Sequence, residues 1–296
     1  MSPLSALWTN WLITGTWPIV GKSALDLLSP VLLMWCGALL GSLYFAPYLT
    51  RHKAWSKLFD RKLMPGLAAV GILGTALPLT VILYALNYTT AVNASIVAEV
   101  EVVYSLIITA IFLGEKPCKR QLAGTALVLF GALLIAFKDR FSPHWKGDII
   151  IMLAPISYQL SHTFAKKLPA NLEPTFIAAG RLVFALLALT PLMAFMALSG
   201  KLHFVPEPNT LWLVLFWGLI NNGLNSHLWY MSIRYMDLSK ATAIILSYPV
   251  LTLALSFTLG LEKVQPYQVI GLACALTGAL WITSLAHKSH RKVRSK

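Results

Sequence analysis

Long apolar segments separated by short polar and basic loops run through the whole 296-residue chain. A hydrocarbon layer of about 30 Å is crossed by about 20 apolar residues in a helix. The pattern therefore predicts an all-α integral membrane protein. Ten transmembrane spans are predicted, at residues 4–22, 30–49, 64–87, 91–113, 121–137, 148–165, 175–199, 210–231, 240–259 and 266–286.

The composition agrees with this pattern. Hydrophobic residues make up 57% of the chain and charged residues only 12%, whereas soluble domains carry about 25% charged residues. The three cysteines are scattered without paired spacing, so neither a disulfide framework nor a metal site is predicted. A net charge of +13 is explained by loop topology, and no nucleic-acid partner is expected.

Basic residues are distributed unequally between the two sides of the predicted membrane. Alternate loops and the C-terminal tail hold 17 of the 24 Lys and Arg residues, and the opposite loops hold 6. Because cytoplasmic loops carry the excess of positive charge, both termini are predicted to be cytoplasmic. The predicted location is a bacterial inner (plasma) membrane, which the chain crosses many times.

The chain contains an internal repeat with an offset of 147 residues. The segments "LGEKPCKRQLAGTALVLFGALLIA" and "GLEKVQPYQVIGLACALTGALWIT" align at this offset. Two five-helix units are predicted, at residues 1–140 and 148–287, followed by a basic tail at 288–296. Five is an odd number, so the second unit must be inverted in the membrane. Inverted repeats of this kind are typical of secondary transporters.

Glutamate and glycine residues recur at matching positions of the two repeats, which predicts structural roles for them. Glu115 aligns with Glu262 at corresponding helix ends, and both are expected to act as helix caps or interface pairs. Gly124 and Gly131 align with Gly271 and Gly278, and small residues on one face let helices approach closely in lipid. A single small-residue motif decides nothing about oligomeric state, and both a monomer and a homodimer remain open.

These repeated segments resemble the EamA-type repeats of the drug/metabolite transporter superfamily. The match covers nearly the whole chain, and "L-x-E-K" followed by a glycine-spaced helix occurs twice. The second copy has Pro249 in "SYPVLT", whereas the first has Val102 at that position, beside Glu101. The resemblance implies ten helices around a central cavity, and a small transported metabolite.

Two acidic residues lie inside the fourth predicted span. Glu101 is about ten residues deep, or about 15 Å, where a carboxylate is tolerated only beside a cavity, a partner or a proton path. Glu99 differs from Glu101 by about 200° around a helix. Glu101, on an arc with Asn93 and Tyr104, is favoured as the group that faces the cavity. The open alternatives are a substrate or proton site and a structural pair with Arg181 or an Asn.

Other polar and aromatic residues in the spans complete the candidate site. Arg181 is either a clamp for a substrate carboxylate or a contact between helices, and the Asn residues of the eighth span could bind substrate or bridge helices. Aromatic rings could receive a cation through the ring face. The remaining candidates are Asn221, Asn225, Trp17, Tyr158 and Tyr248.

The sequence therefore predicts a secondary active transporter of a small amine-bearing metabolite such as an amino acid, working by alternating access. Export is implied by the resemblance, and proton coupling is left open. The alternatives are an organic-cation or multidrug exporter and a metabolite importer of the same fold. An enzyme is disfavoured, because the chain has no nucleotide-binding glycine loop and no clustered His and Asp. No cofactor is expected, and the partners are a small-molecule substrate and the lipid bilayer.

Overall fold

The computed structural model describes residues 3–101, 103, 104, 107, 108, 111, 119–138, 144–169, 171–235, 245 and 247–294. These residues form helices in the order of the predicted spans. The helices are α1 (Pro3–Leu25), α2 (Pro30–Arg51), α3 (Met64–Leu86), α4 (Ala91–Val100), α5 (Lys119–Lys138), α6 (Trp145–Leu153 and Pro155–Lys167), α7 (Pro174–Leu198), α8 (Pro208–Leu215, Phe216–Leu224 and Asn225–Tyr235), α9 (Tyr248–Thr258) and α10 (Pro266–Arg294). A single-turn helix, Trp55–Leu58, lies between α2 and α3.

Three of these helices are long and apolar enough to cross a membrane, judged by length and composition within the described residues. They are α2, α3 and α7, and α4, α9 and part of α5 are shorter apolar helices. Large apolar side chains also remain on the outer surface, such as Leu198, which is 90% exposed, and Trp212, which is 71% exposed. Such a surface suits contact with lipid. Ten complete spans stay a prediction.

Two helices depart from regular α geometry at positions that correspond in the two sequence repeats. Residues Ile72–Ala76 of α3 and Phe216–Leu224 of α8 are π-helical. At the offset of 147, the first segment falls within the second. A π-helical turn is wide and often marks a functional site. Pro78 and Thr80, in the stretch of α3 that corresponds to the Asn-rich stretch of α8, predict a local irregularity in both helices, and the described structure contains one in each.

α5 and α10 cross in close backbone contact at their glycine residues. A Cβ atom at Gly131 would lie 2.6 Å from the carbonyl oxygen of Gly271, and one at Gly278 would lie 2.6 Å from that of Gly124. Gly131 corresponds to Gly278 and Gly271 to Gly124, so this is the same contact made twice. The glycines are required here because the backbones touch.

The loops meet in two groups, one at each end of the bundle. At one end, the amide N–H of Ser29 donates to the His203 carbonyl at 3.0 Å, and that of Val205 donates to the Leu27 carbonyl at 2.8 Å. At the other end, the Tyr48 hydroxyl donates to Glu173. This sorting agrees with the predicted sides of the loops. Which end faces the cytoplasm stays a prediction.

The carboxylate of Glu262 caps the N-terminus of α4. It accepts from the backbone N–H of Ala91 at 2.6 Å and from that of Val92 at 3.3 Å. The first N–H groups of a helix have no partner within the helix, and a negative charge there also interacts favourably with the positive end of the helix dipole. The sequence prediction of a cap is confirmed for Glu262, whereas Glu115 lies outside the described residues.

We expect Glu262→Ala to lower the free energy of unfolding by about 1–2 kcal/mol, because the cap and its charge are lost together. Thermal unfolding of the purified protein in detergent measures this change. The neighbouring exposed residue Lys263 provides the control, since Lys263→Ala removes a charge without touching α4. Equal melting temperatures for Glu262→Ala and the wild type would contradict a stabilising cap.

Candidate functional site

Glu99 and Glu101 lie where α4 tightens into a 3₁₀ turn at Ala98–Val100. Glu99 is 1% exposed, and both of its carboxylate oxygens are buried without a hydrogen-bond partner among the described residues. Glu101 is partly exposed, and its carboxylate accepts from the side-chain amide of Gln159 on α6 at 2.9 Å. The two acids are close enough to interact electrostatically. One acid is therefore held by a neighbouring helix, and the other is not held by any described donor.

Aromatic and basic side chains from other helices lie within electrostatic range of these acids. Tyr248 on α9 lies near both carboxylates and donates its hydroxyl to the Ser95 carbonyl at 3.2 Å. Trp17 on α1 lies beside the Tyr248 hydroxyl. Tyr158 on α6 lies within electrostatic range of Glu101 and Arg181. Helices from both sequence repeats therefore contribute to one polar cluster.

Arg181 on α7 is bound to the π-helical segment of α3. Its Nε donates to the Thr75 hydroxyl and its Nη2 to the Gly74 carbonyl, both at 2.5 Å. Pro78 lies four residues after Gly74 and has no N–H to give to that carbonyl. Arg181 therefore replaces the missing donor. The Leu73 carbonyl accepts from the Ser157 hydroxyl of α6 at 2.7 Å in the same way.

These contacts bear on the two sequence-based alternatives for Arg181. Arg181 and Glu101 interact electrostatically, but the described hydrogen bonds of Arg181 go to α3 and that of Glu101 goes to Gln159. In this conformation the guanidinium joins two helices, with Nε and Nη2 both engaged. A role as the main clamp for a substrate carboxylate gains no support from this geometry.

The two Asn residues of α8 have different surroundings. Asn225 accepts from the Asn10 amide of α1 at 2.6 Å, so it bridges two helices. Asn221 lies in the π-helical segment, and both atoms of its amide group are buried without a partner among the described residues. Between them, the Asn222 amide donates to the Trp217 carbonyl at 2.8 Å. Asn221 is therefore the one of the two candidates whose amide stays available for a ligand.

Asn93 and Tyr104 lie apart from the contacts of Glu101. The Asn93 side chain is fully buried and bonds to Asp148 on α6 and Gln268 on α10. Tyr104 packs against a small apolar cluster that contains Val100, Val103 and Val128. Sequence reasoning missed Gln159, Asp148 and Gln268, although a polar residue within or at the start of a predicted span was the signal that could have found them.

A separate cavity of about 640 Å³ lies at the end of the bundle where α1 joins α2 and α7 joins α8. Its lining is mostly apolar and includes Leu32, Cys36, Phe204 and Leu211. None of the predicted site residues lines it. The central cavity predicted from the sequence is a different feature, and it stays a prediction.

No group of three or more His, Cys, Asp and Glu side chains suited to a metal ion occurs within the described part of the chain. The described candidate residues, at the acids and separately on α8, can instead do three things chemically. A buried carboxylate can bind a cation or a proton, aromatic rings can cover an apolar or cationic group, and the Asn221 amide can both donate and accept hydrogen bonds. All three suit a small polar molecule.

Comparisons with known proteins identify the family to which this chain belongs. The family model of the EamA-like transporter family matches residues 3–137 and 145–284. The chain belongs to the EamA-like transporter family, within the drug/metabolite transporter superfamily, and its matched regions are two repeats. It is accordingly a multi-pass membrane protein.

Individual relatives are distant. An uncharacterized transporter from Archaeoglobus fulgidus is 22% identical over 73% of this chain and 76% of its own length. A probable terminal-alkyne amino-acid exporter from Streptantibioticus cattleyicolor is 22% identical over 74% of this chain and 73% of its own length. The transporter YetK from Bacillus subtilis is 26% identical over 70% of this chain and 64% of its own length.

A solved structure supports the fold. A crystal structure with 17% sequence identity matches 96% of this chain and 98% of its own chain, with a TM-score of 0.68. At this identity the likeness concerns the fold alone. Together with the family, it agrees with the sequence resemblance to EamA-type repeats, and that resemblance is confirmed.

Proposed function

We propose that this protein is a secondary transporter that exports a small amine-bearing metabolite, such as an amino acid, by alternating access. Its membership of the EamA-like transporter family supports the transport class. The name of the relative from Streptantibioticus cattleyicolor, an amino-acid exporter, supports the substrate class and the direction. A transporter of this kind is not an enzyme and needs no resident cofactor.

The architecture that we propose is ten spans in two inverted five-helix halves, at 1–140 and 148–287, around a central path. The doubled glycine contact between α5 and α10 supports this arrangement, because a two-fold relation makes one contact occur twice. The corresponding π-helical segments of α3 and α8 support it as well. Both termini are proposed to be cytoplasmic from the distribution of basic loops. We leave open whether the protein is a monomer or a homodimer.

The observation that carries the substrate proposal is the buried carboxylate of Glu99. An ionised carboxylate without donors is unfavourable in an apolar interior by several kcal/mol at the least. The described residues give Glu99 no donor, whereas Glu101 has Gln159 and lies near Arg181. A substrate ammonium group or a proton would supply the missing partner. The sequence analysis favours Glu101 as the group that faces the cavity. From the contacts above we propose instead that Glu99 receives the cation or the proton, and that Glu101 is its fixed neighbour.

The neighbouring aromatic residues fit an amine-bearing substrate. A ring face attracts a cation by about 0.5–2 kcal/mol, and more strongly when both are desolvated. Trp17, Tyr158 and Tyr248 contribute three rings from three helices. We propose that the unsatisfied amide of Asn221 on α8 also contributes to substrate binding. With Glu99 ionised, the two acids carry one more charge than the guanidinium of Arg181, whose donors are largely engaged with α3. In that state a substrate with a positive group restores the charge balance of the described cluster.

A flux experiment on purified protein tests this function. The protein is reconstituted in liposomes and offered four labelled sets at several pH values: amino acids, amines without a carboxylate, carboxylates without an amine, and methylated cations. We expect flux of amine-bearing compounds and none of carboxylates alone. Flux restricted to carboxylates would refute the substrate class, and binding without any flux would refute transport.

A further inference from the structure

A second cluster of buried polar side chains lies at the end of the bundle where α3 joins α4, about 9 Å along α4 from Glu99. We name it the junction cluster. Its members are 0–3% exposed in the structure. They are Thr89, Asn93, Asp148 and Gln268.

Hydrogen bonds join the junction cluster into one chain. The Thr89 hydroxyl donates to one oxygen of Asp148, and the Asn93 amide donates to the other at 3.3 Å. The Gln268 amide then donates to the Asn93 side-chain oxygen at 2.6 Å, and its own oxygen accepts from the Gln265 N–H at 2.8 Å. Each buried polar group named here therefore has a partner, as a closed network requires.

The backbone around the junction cluster is held from two sides. Lys22 of α1 donates its ammonium group to the Leu86 carbonyl and to the Thr89 carbonyl. Glu262, in the loop before α10, caps the first turn of α4 from the opposite side. Gly147 brings the start of α6 against this backbone, since a Cβ there would lie 2.6 Å from the Ala85 carbonyl oxygen.

The junction cluster joins the two halves of the chain. Lys22, Thr89 and Asn93 belong to the first repeat, and Asp148 and Gln268 belong to the second. Asn93 and Glu99 are on the same helix, so a movement that separates the halves at this end also opens a way toward the acids. The donors of the junction cluster are uncharged amides and a hydroxyl, which suit a contact that must break and re-form. Exchange for water changes the free energy by only about 0.5–1.5 kcal/mol for a neutral pair, and by about 1.5–3 kcal/mol for each bond to the Asp148 carboxylate.

We propose that the junction cluster is the closed gate between Glu99 and this end of the bundle, and that its hydrogen bonds separate when the path opens there. This proposal rests on the proposed transport function, and it assigns a conformational role to residues outside the substrate site. Asn93, which the sequence suggests as a substrate ligand, is placed in the gate instead.

Accessibility of a single cysteine tests the gate without any substrate. Cys36, Cys118 and Cys274 are replaced by Ser, and Ala98→Cys is added as a reporter beside Glu99, where the residue is partly buried. A membrane-impermeant thiol reagent is applied to sealed vesicles of either orientation. A separate Lys263→Cys variant, exposed at the gate end, identifies the side on which the gate lies.

We expect Gln268→Leu to raise the labelling rate of the reporter from the gate side by about tenfold, which corresponds to the loss of one strong hydrogen bond. Asp148→Asn, which keeps the shape of the side chain, is expected to raise it less and serves if Gln268→Leu fails to fold. Glu207→Gln changes an exposed acid at the same end of the bundle and should leave the rate unchanged.

The outcomes separate the gate from the transport function. Unchanged labelling in both Gln268→Leu and Asp148→Asn would overturn the gate, whether or not amines are transported. Increased labelling only from the opposite side would also overturn it. Increased labelling of the variants from the gate side, together with an absence of amine flux in the wild-type protein, would support the gate and refute the proposed substrate class.

Discussion

Replacement of Glu99 by Gln is expected to lower flux of the amine substrate by about 10- to 100-fold, the equivalent of one charged hydrogen bond of about 1.5–3 kcal/mol. The substrate ammonium group or the proton would lose its negative partner, while the side chain keeps nearly the same shape. Because the described residues donate no hydrogen bond to Glu99, the protein should remain folded. Replacement of a buried carboxyl group that has no hydrogen-bond partner among the described residues should leave the melting temperature equal or higher, as for many active-site residues.

Glu101→Gln is the matched control, since it makes the same change two residues further along α4. A Gln side chain at 101 still has an oxygen that can accept from Gln159, so the contact between α4 and α6 is retained. We expect a smaller loss of flux than in Glu99→Gln, with a small decrease in melting temperature. Flux measured for both variants in liposomes decides the assignment. Full flux in Glu99→Gln beside abolished flux in Glu101→Gln would contradict the role of Glu99.

Gly131→Val should prevent stable packing of α5 against α10. The added side chain would meet the Gly271 carbonyl oxygen at 2.6 Å and the Ala275 nitrogen at 2.9 Å. Both are backbone atoms, so no rotamer change can relieve the clash, and the helices must separate. Overpacking in a tight core lowers stability by about 1–3 kcal/mol, and a backbone contact lies at the upper end of that range. Size-exclusion chromatography and thermal unfolding in detergent measure the loss.

Two companion variants make this prediction specific. Gly278→Val should reduce stability by a similar amount, because its contact with Gly124 repeats that of Gly131 with Gly271. Ala126→Val adds methyl groups to an exposed position on the same helix and should change the melting temperature little. A stable Gly278→Val protein beside an unstable Gly131→Val protein would contradict a two-fold relation between the halves.

Much of the fold could be predicted from the pattern of apolar residues. The observed helices begin and end within a few residues of most predicted spans, because segment length and loop polarity are local properties of the sequence. The main difference is at the C-terminal end, where α10 continues to Arg294, through most of the predicted basic tail. Residues 240–244 and 246 of the ninth predicted span lie outside the described residues.

The contacts of the candidate site were less accessible from the sequence. Helical periodicity gives the face on which Glu101 lies, but it cannot give the residue on another helix that meets that face. Gln159 is such a residue, and Arg181 is another, since its partners are backbone groups freed by a π-helical turn and by Pro78. The shared helical arc grouped Asn93 with Glu101 in the sequence prediction, whereas the packing of three helix ends places it with Asp148 and Gln268.

The glycine spacing has a consequence for how this gene can change. Gly124 and Gly131 are seven residues apart, as are Gly271 and Gly278. On each helix, one glycine leaves room for the backbone of the other helix, and the second glycine supplies the backbone carbonyl that packs against the partner's glycine. One inserted or deleted residue between either pair would rotate a glycine by about 100° and bring a side chain into the crossing. Length variation should therefore be confined to the loops, and both helices should keep their residue count through evolution even where their side chains drift.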